Sequence, residues 1–258
     1  MSTRIGIADR QLHPDRGAML NVICSGGHSA GSTTSSLALF LEWPRPVLLA
    51  EADPGGGTIL SGYLAGTPRD RGLAEWGLKI RRGVPAAEAL PNQLYAIQEG
   101  KLILPGLAEP KQAEAFQPLW PEIAGCLASL EEDVIVDLGQ VGRPDTPEPL
   151  LLRADRVFVA TRPTLVHLHA TTSVIRDLKE LRGHLPDPEL IVVGDGQYQL
   201  KEIAETLGAT VAAWLPYDKW SVPALAYGIG QVRPLSPLMR SARALAAALA
   251  EQGGQVTA

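Results

Sequence analysis

Runs rich in Val, Ile and Leu alternate along the chain with longer stretches whose apolar residues recur at helical spacing. Met19–Cys24 predicts a first strand, Ser25–Gly31 a glycine-rich turn, and Ser32 to about Glu42 a helix. Trp43-Pro44-Arg45-Pro46 ends that helix, because proline lacks the amide that would continue it and restrains the residue before it. Val47–Ala50 predicts a second strand leading into Glu51-Ala52-Asp53, and Lys101–Leu104 a short strand before Pro105-Gly106. A helix over about 111–130 is interrupted near Pro118 and Pro121. Later strands are predicted at Val134–Val136, Arg156–Ala160, Leu190–Val193 and Val211–Leu215, with helices near Val166–Leu181, Leu200–Leu207 and Ser236–Glu251. These strands are continuously apolar rather than alternating, so both of their faces are buried. Separated by helices, they predict an α/β fold with a doubly wound, mainly parallel sheet. Ligands of such sheets bind beyond the carboxyl ends of the strands. The reading places one domain at 18–252, between a loose leader over 1–17 and a loose tail over 253–258.

Composition narrows this picture. A chain of 258 residues suits one such domain and buries enough apolar surface to do without disulfides. Cys24 and Cys126 fall in a strand-like and a helix-like run and read as small core residues, with no zinc spacing. No stretch reaches the roughly 18 apolar residues of a membrane helix, and residues 1–17 hold no apolar core of signal-peptide length. The expected location is the cytoplasm. A formal charge of -5 argues against a nucleic-acid partner, which calls for a concentrated basic surface. The cations Lys79, Arg81 and Arg82 read as a solvated face.

The chemistry concentrates in Gly26-Gly27-His28-Ser29-Ala30-Gly31-Ser32-Thr33, which follows a strand and opens a helix. The pattern is G-x-x-x-x-G-x-T, a Walker A loop with Ser32 where the lysine belongs. Glycines let successive backbone amides turn toward a phosphate, and the helix N-terminus adds partial positive charge. Thr33 holds the place of the hydroxyl that coordinates Mg²⁺. His28 is either a phosphate donor or a solvent-facing turn residue. The competing reading of the whole segment is a tight turn whose hydroxyls cap the helix. Two acids at strand ends favour the phosphate reading: Asp53, after the second strand, and Asp137, closing Asp133-Val134-Ile135-Val136-Asp137 in the manner of a Walker B acid. The fold class sharpens to the P-loop NTPase type.

Other constellations carry less. His167 and His169 stand two apart on a helix and so face different sides. No histidine base stands at a recognised spacing from Ser32, and the G-x-S-x-G elbow is absent. So is the G-x-G-x-x-G dinucleotide fingerprint.

In order and spacing, residues 19–251 resemble the MinD/ParA family of P-loop ATPases. The family's K-G-G-x-G-K-T-T loop is matched by Gly27-His28-Ser29-Ala30-Gly31-Ser32-Thr33-Thr34. Its signature lysine, which reaches across a dimer, falls at Gly27 and its Walker A lysine at Ser32, so both are gone. The family's strand ending D-x-D-P resembles Leu48–Pro54, with Glu51 as first acid and Asp53 at the aspartate that positions the attacking water. Asp137 matches the Walker B acid. Ala154–Pro163 resembles the strand that ends in threonine and proline, and Leu215-Pro216-Tyr217-Asp218 the loop beside adenine. The adenine-reading asparagine is missing, with Gly194-Asp195 near its place. The resemblance implies ATP with Mg²⁺ as cofactor, held by residues 26–34, Pro216 and Asp218, with Thr33, Asp53 and Asp137 at the metal and Asp53 and Asp137 catalytic. It also implies a protein partner or a homodimer. The Ala/Leu-rich stretch Ala242–Ala250, with Arg240 and Arg243 as its nearby cations, resembles a packed or partner-binding helix more than the family's membrane anchor.

Loss of a lysine at the γ-phosphate removes several kcal/mol of charge stabilisation. The expected protein is therefore a scaffold or positioning factor for a secretion, pilus, division or partitioning machine, with weak or absent hydrolysis. The alternatives are an ATPase switch whose cation comes from elsewhere, with Arg45, Arg143 and Arg162 as candidates, and a subunit of a larger complex that binds no nucleotide.

Overall fold

In the computed structural model, residues 17–27 and 29–254 are described; His28, residues 1–16 of the expected leader and residues 255–258 of the expected tail lie outside the described residues. Leu20–Ser25 (β1) enters the glycine-rich turn, and Ser32–Glu42 (α1) carries the chain back along the sheet. Val47–Glu51 (β2) is followed by Leu73–Arg81 (α2), Ala86–Ala89 (α3), Tyr95–Gln98 (β3) and Lys101–Leu104 (β4). Ala113–Phe116 (α4) and Trp120–Ala128 (α5) precede Asp133–Gln140 (β5), Glu148–Arg153 (α6) and Arg156–Thr161 (β6). Leu165–Arg182 (α7), Glu189–Val193 (β7), Leu200–Leu207 (α8), Val211–Leu215 (β8), Ser221–Tyr227 (α9) and Pro237–Gly254 (α10) complete the order.

The strands form one sheet in the order β3-β4-β2-β5-β1-β6-β7-β8. Every pairing is parallel except the β3–β4 edge hairpin. Alternate residues of the central strands serve two cores. Leu20, Val22 and Cys24 pack with α5, α6 and α7 on one face, whereas Ile23 packs with α1 and α10 on the other. That is the physical reason the strands read as continuous apolar runs. With α10 covering α1, Leu238, Met239, Ala242 and Leu249 are buried, which makes this a packed helix. Cys24 and Cys126 are buried free thiols, and burial pushes the Cys24 thiol up to about 12.

Some boundaries differ from expectation. The interruption expected near Pro118 is present as a 3₁₀ turn over Gln117–Leu119. Pro121 instead occupies the first turn of α5, where its missing amide costs nothing. The strand expected at 134–136 runs from Asp133 to Gln140, and α10 continues past Glu251 to Gly254. The short elements α3, β3, α6 and α9 have too few residues to impose a period on the sequence, and the nine-residue α2 is a further helix that the sequence reading lacks.

Candidate functional site

Parallel pairing of β1 with β5 and β6 brings the turn after β1, Asp137 and the end of β2 to one edge of the sheet. The turn itself is made by left-handed backbone at Ser29 (φ 55°) and Gly31 (φ 97°). The Ser25 hydroxyl donates to the Gly27 carbonyl at 3.1 Å and steadies its start. Among the described residues no side chain caps α1, whose N-cap is Gly31, so Ser32, Thr33 and Thr34 are not its caps. The first amides of an α-helix then stand open to an anion. Ala30 and Ser32 are buried while Ser29 is exposed, and Thr33 and Thr34 lie between.

One side of the loop leans on α7. A Cβ on Gly26 would stand 2.7 Å from the Ala170 carbonyl oxygen, so only glycine allows this approach. At Gly27 the nearest atom to a Cβ is the Ala170 Cβ at 3.5 Å, an ordinary contact. A side chain therefore fits at Gly27, and the absence of the signature lysine there is not imposed by packing.

Three acids gather at the neighbouring strand ends. Asp137 is fully buried, and its Oδ2 has no hydrogen-bond partner. Desolvation raises its pKa to about 7, against a hydrogen bond from Thr33, with the charges of Glu51 and Asp53 adding to the rise. Asp53 accepts the Gly55 amide at 2.6 Å. Its carboxylate lies directly over Gly139, where a Cβ would fall 2.0 Å from it. Gly139 has φ 63° and follows a register slip between β1 and β5, so a bulge makes room for the acid.

Glu51 has a role that its match to a family acid does not indicate. Its Oε1 accepts the amides of Thr58 (2.5 Å) and Ile59 (3.0 Å), and its Oε2 accepts that of Gly106 (2.9 Å). Burial raises its pKa even so. The side chain is a clasp that ties the loop after β2 to the loop after β4. Only its position between an apolar strand and a Pro-Gly-Gly turn hinted at this.

The candidate cations divide by place. Arg45 is bound to Asp133 through Nε (2.9 Å) and Nη2 (3.0 Å) at the start of β5, the opposite end of the sheet. It does not serve the loop. Arg143 lies at the correct edge but forms a fork to Asp145 at 2.9 and 3.0 Å. Arg162 follows β6 at the same edge and is exposed.

After β8, Pro216 is buried and Asp218 turns toward its own chain. Burial opposes its ionisation, but the amides of Trp220 and Ser221 and the hydroxyls of Ser236 and Ser221 outweigh it and hold its pKa below the ordinary value. The Gly194 carbonyl, near the missing asparagine, accepts the Trp214 indole N–H at 2.8 Å. His167 meets the Thr164 hydroxyl at 2.7 Å while His169 is exposed. Among the described residues no three His, Cys, Asp or Glu side chains form a group able to hold a metal.

The residues present fit Mg²⁺ in one respect: Asp137 offers a buried carboxylate oxygen with no partner, beside the Thr33 hydroxyl. A magnesium there would be held by those two groups and would supply positive charge against phosphate oxygens. Among the described residues the loop offers a phosphate its backbone amides and no ammonium, since neither Gly27 nor Ser32 carries one.

No protein-family model matches the chain, and no curated protein matches it. Solved structures do. The MinD septum-site protein of Pyrococcus horikoshii, complexed with Mg-ADP, is 19% identical over 93% of this chain and 98% of its own, with TM-score 0.74. A ParA-family ATPase of Chlorobium tepidum is 19% identical over 88% and 99%, with TM-score 0.72. MinD in the Aquifex aeolicus MinC:MinD complex is 17% identical over 90% and 96%, with TM-score 0.67. The fold is that of the MinD/ParA P-loop ATPases. Among the described residues no helix is long and apolar enough to cross a membrane.

Proposed function

We propose that this protein is a MinD/ParA-like scaffold or positioning factor whose nucleotide site has lost its catalytic cations. The observation that carries the reading is a preserved loop without its charge. Gly31 and the uncapped start of α1 keep the phosphate-binding backbone, and Asp137 keeps a buried oxygen without a partner. Yet Ser32 and Gly27 replace both lysines, and Arg45 is committed to Asp133. A missing electrostatic donor at a developing phosphate charge costs about 3 kcal/mol, or roughly a hundred-fold in rate. Nucleotide binding is therefore weak and Mg²⁺-dependent, and turnover is very low. The protein acts through a protein partner or a second copy, as the MinD of the MinC:MinD complex has MinC beside it.

Calorimetry with Mg·ATP and a turnover assay test this together. The expected result is negligible hydrolysis, with Ser32→Lys increasing nucleotide affinity because it restores charge where the backbone already points. Robust turnover by the unaltered chain, abolished by Asp53→Ala, would falsify the reading and make Arg162 the first candidate for the missing cation. Absence of any nucleotide binding, even in Ser32→Lys, would assign the fold to a subunit that uses no nucleotide.

A further inference from the structure

From Lys219 to Ala250 the chain carries Lys219, Arg233, Arg240 and Arg243 and no aspartate or glutamate. A stretch of one sign is unexpected in a molecule of formal charge -5, and the fold gathers part of it around an open cavity of about 720 Å³. Trp220, Ile229, Val232 and Leu235 line this cavity, with Lys219 and Arg233 as its charged groups. Trp220 is 49% exposed, Ile229 67% and Leu235 74%. One such residue needs no explanation, but several around one hollow mark a surface meant to be covered.

The cavity is built rather than incidental. The Asp218 carboxylate accepts the Trp220 amide at 2.7 Å and the Ser221 hydroxyl at 3.0 Å. Ser221 Oγ in turn accepts the Arg233 amide at 3.1 Å and meets Ser236 Oγ at 3.2 Å. Ser221, Ser236 and Asp218 are all buried, so the start of α9 and the loop before α10 are fastened to each other beneath the surface. Above it, the Arg233 guanidinium lies 4.2 Å and the Lys219 ammonium 5.3 Å from the centre of the Trp220 ring. Neither cation is paired with a carboxylate among the described residues. A fixed apolar hollow with two unneutralised cations needs little reorganisation to bind.

We propose that this cavity docks an acidic segment of a partner protein, inserting an aliphatic or aromatic side chain beside Trp220 and setting carboxylates against Lys219 and Arg233. Charge complementarity selects the acid, and the apolar lining selects the anchor. A single-stranded nucleic acid would stack a base on the indole, but Arg233 already covers a face of that ring. An anionic bilayer takes up the apolar face of an amphipathic helix, whereas here the apolar residues surround a hollow. The surface lies outside residues 26–34; Asp218 beneath it belongs to the segment that resembles the adenine loop, so the peptide titrations are run without nucleotide, and the proposal stands whether or not ATP binds.

The test is selection of a random dodecapeptide display library on the full chain, followed by anisotropy titration of an enriched, labelled peptide. Enriched sequences are expected to place Asp or Glu beside Leu, Ile or Phe. Their affinity should fall about ten-fold or more in Trp220→Ala and in Arg233→Glu, and it should weaken with salt. Both side chains are exposed at the surface, so the thermal melts of the variants should match the parent; Lys219→Glu is a further variant with the same expectation. The same titration is run with phosphatidylcholine–phosphatidylglycerol vesicles and with an oligo-dT strand. Failure to enrich any peptide, enrichment without acidic residues, or binding that survives the substitutions overturns the proposal. So does saturable binding of the vesicles or the oligonucleotide that the same substitutions abolish.

Discussion

Asp137 carries an ionisation cost that the Thr33 hydroxyl and the Gly139 amide offset only in part. Its pKa in the fold is about 7 against an ordinary value of 3.8, so the folded chain holds this proton where the unfolded chain has released it. The contribution of this group to stability is complete below about pH 4 and is lost as pH rises through 7. At about 1.4 kcal/mol per unit, the gap sets a ceiling near 4 kcal/mol. Asp137→Asn removes the charge, so thermal melts at pH 8 should show the variant more stable than the parent, with the difference vanishing near pH 4. A difference independent of pH would mean that the carboxylate is solvated after all. The position of this acid was legible in the sequence, because an apolar strand ending in aspartate is a local pattern. The Glu51 clasp was not, because the amide it holds at Gly106 lies 55 residues away and only the closed sheet brings the two together.

At the scale of elements, α1 is the piece on which the loop is mounted, and its far end is fastened by a buried lysine. Lys101, 5% exposed at the start of β4, donates to the carbonyls of Phe40 (2.6 Å) and Trp43 (2.5 Å). Burial lowers its pKa to about 8, yet its ammonium satisfies carbonyls that the helix itself leaves open. Lys101→Met keeps the stem and deletes the donors, which should cost about 1–3 kcal/mol and lower the urea midpoint. An unchanged midpoint would show that water reaches those carbonyls. The bounds of α1 were fully readable, since Gly31 precedes it and Pro44 and Pro46 follow it. The break at Pro118 was readable too, but the place of Pro121 was not, because a proline in a first turn and a proline in an interior look alike until the turn is placed.

On the proposed reading, the molecule as a whole has glycine at position 27, where the resemblance implies a lysine that reaches across a dimer. Gly27 has room for a side chain but none to reach a partner. A ligand shifts an association equilibrium only by its differential affinity for the two states. Sedimentation profiles at fixed protein concentration should therefore be the same with and without Mg·ATP, and a monomer-to-dimer shift on adding ATP would restore the switch. The central place of β1 has a separate consequence, for the order in which the chain assembles. Met19, at its start, is hydrogen bonded to Asp133, 114 residues on, and Leu20 to Asp155, 135 residues on. The strand β1 thus has neither neighbour until more than a hundred further residues have been synthesised. Such distant closures slow folding, and an apolar strand waiting without partners is prone to aggregate. The glycine-rich loop, carried on that strand, is set beside Asp137 only once β5 has paired, so a nascent chain released before β5 carries the loop's residues without the acid opposite them.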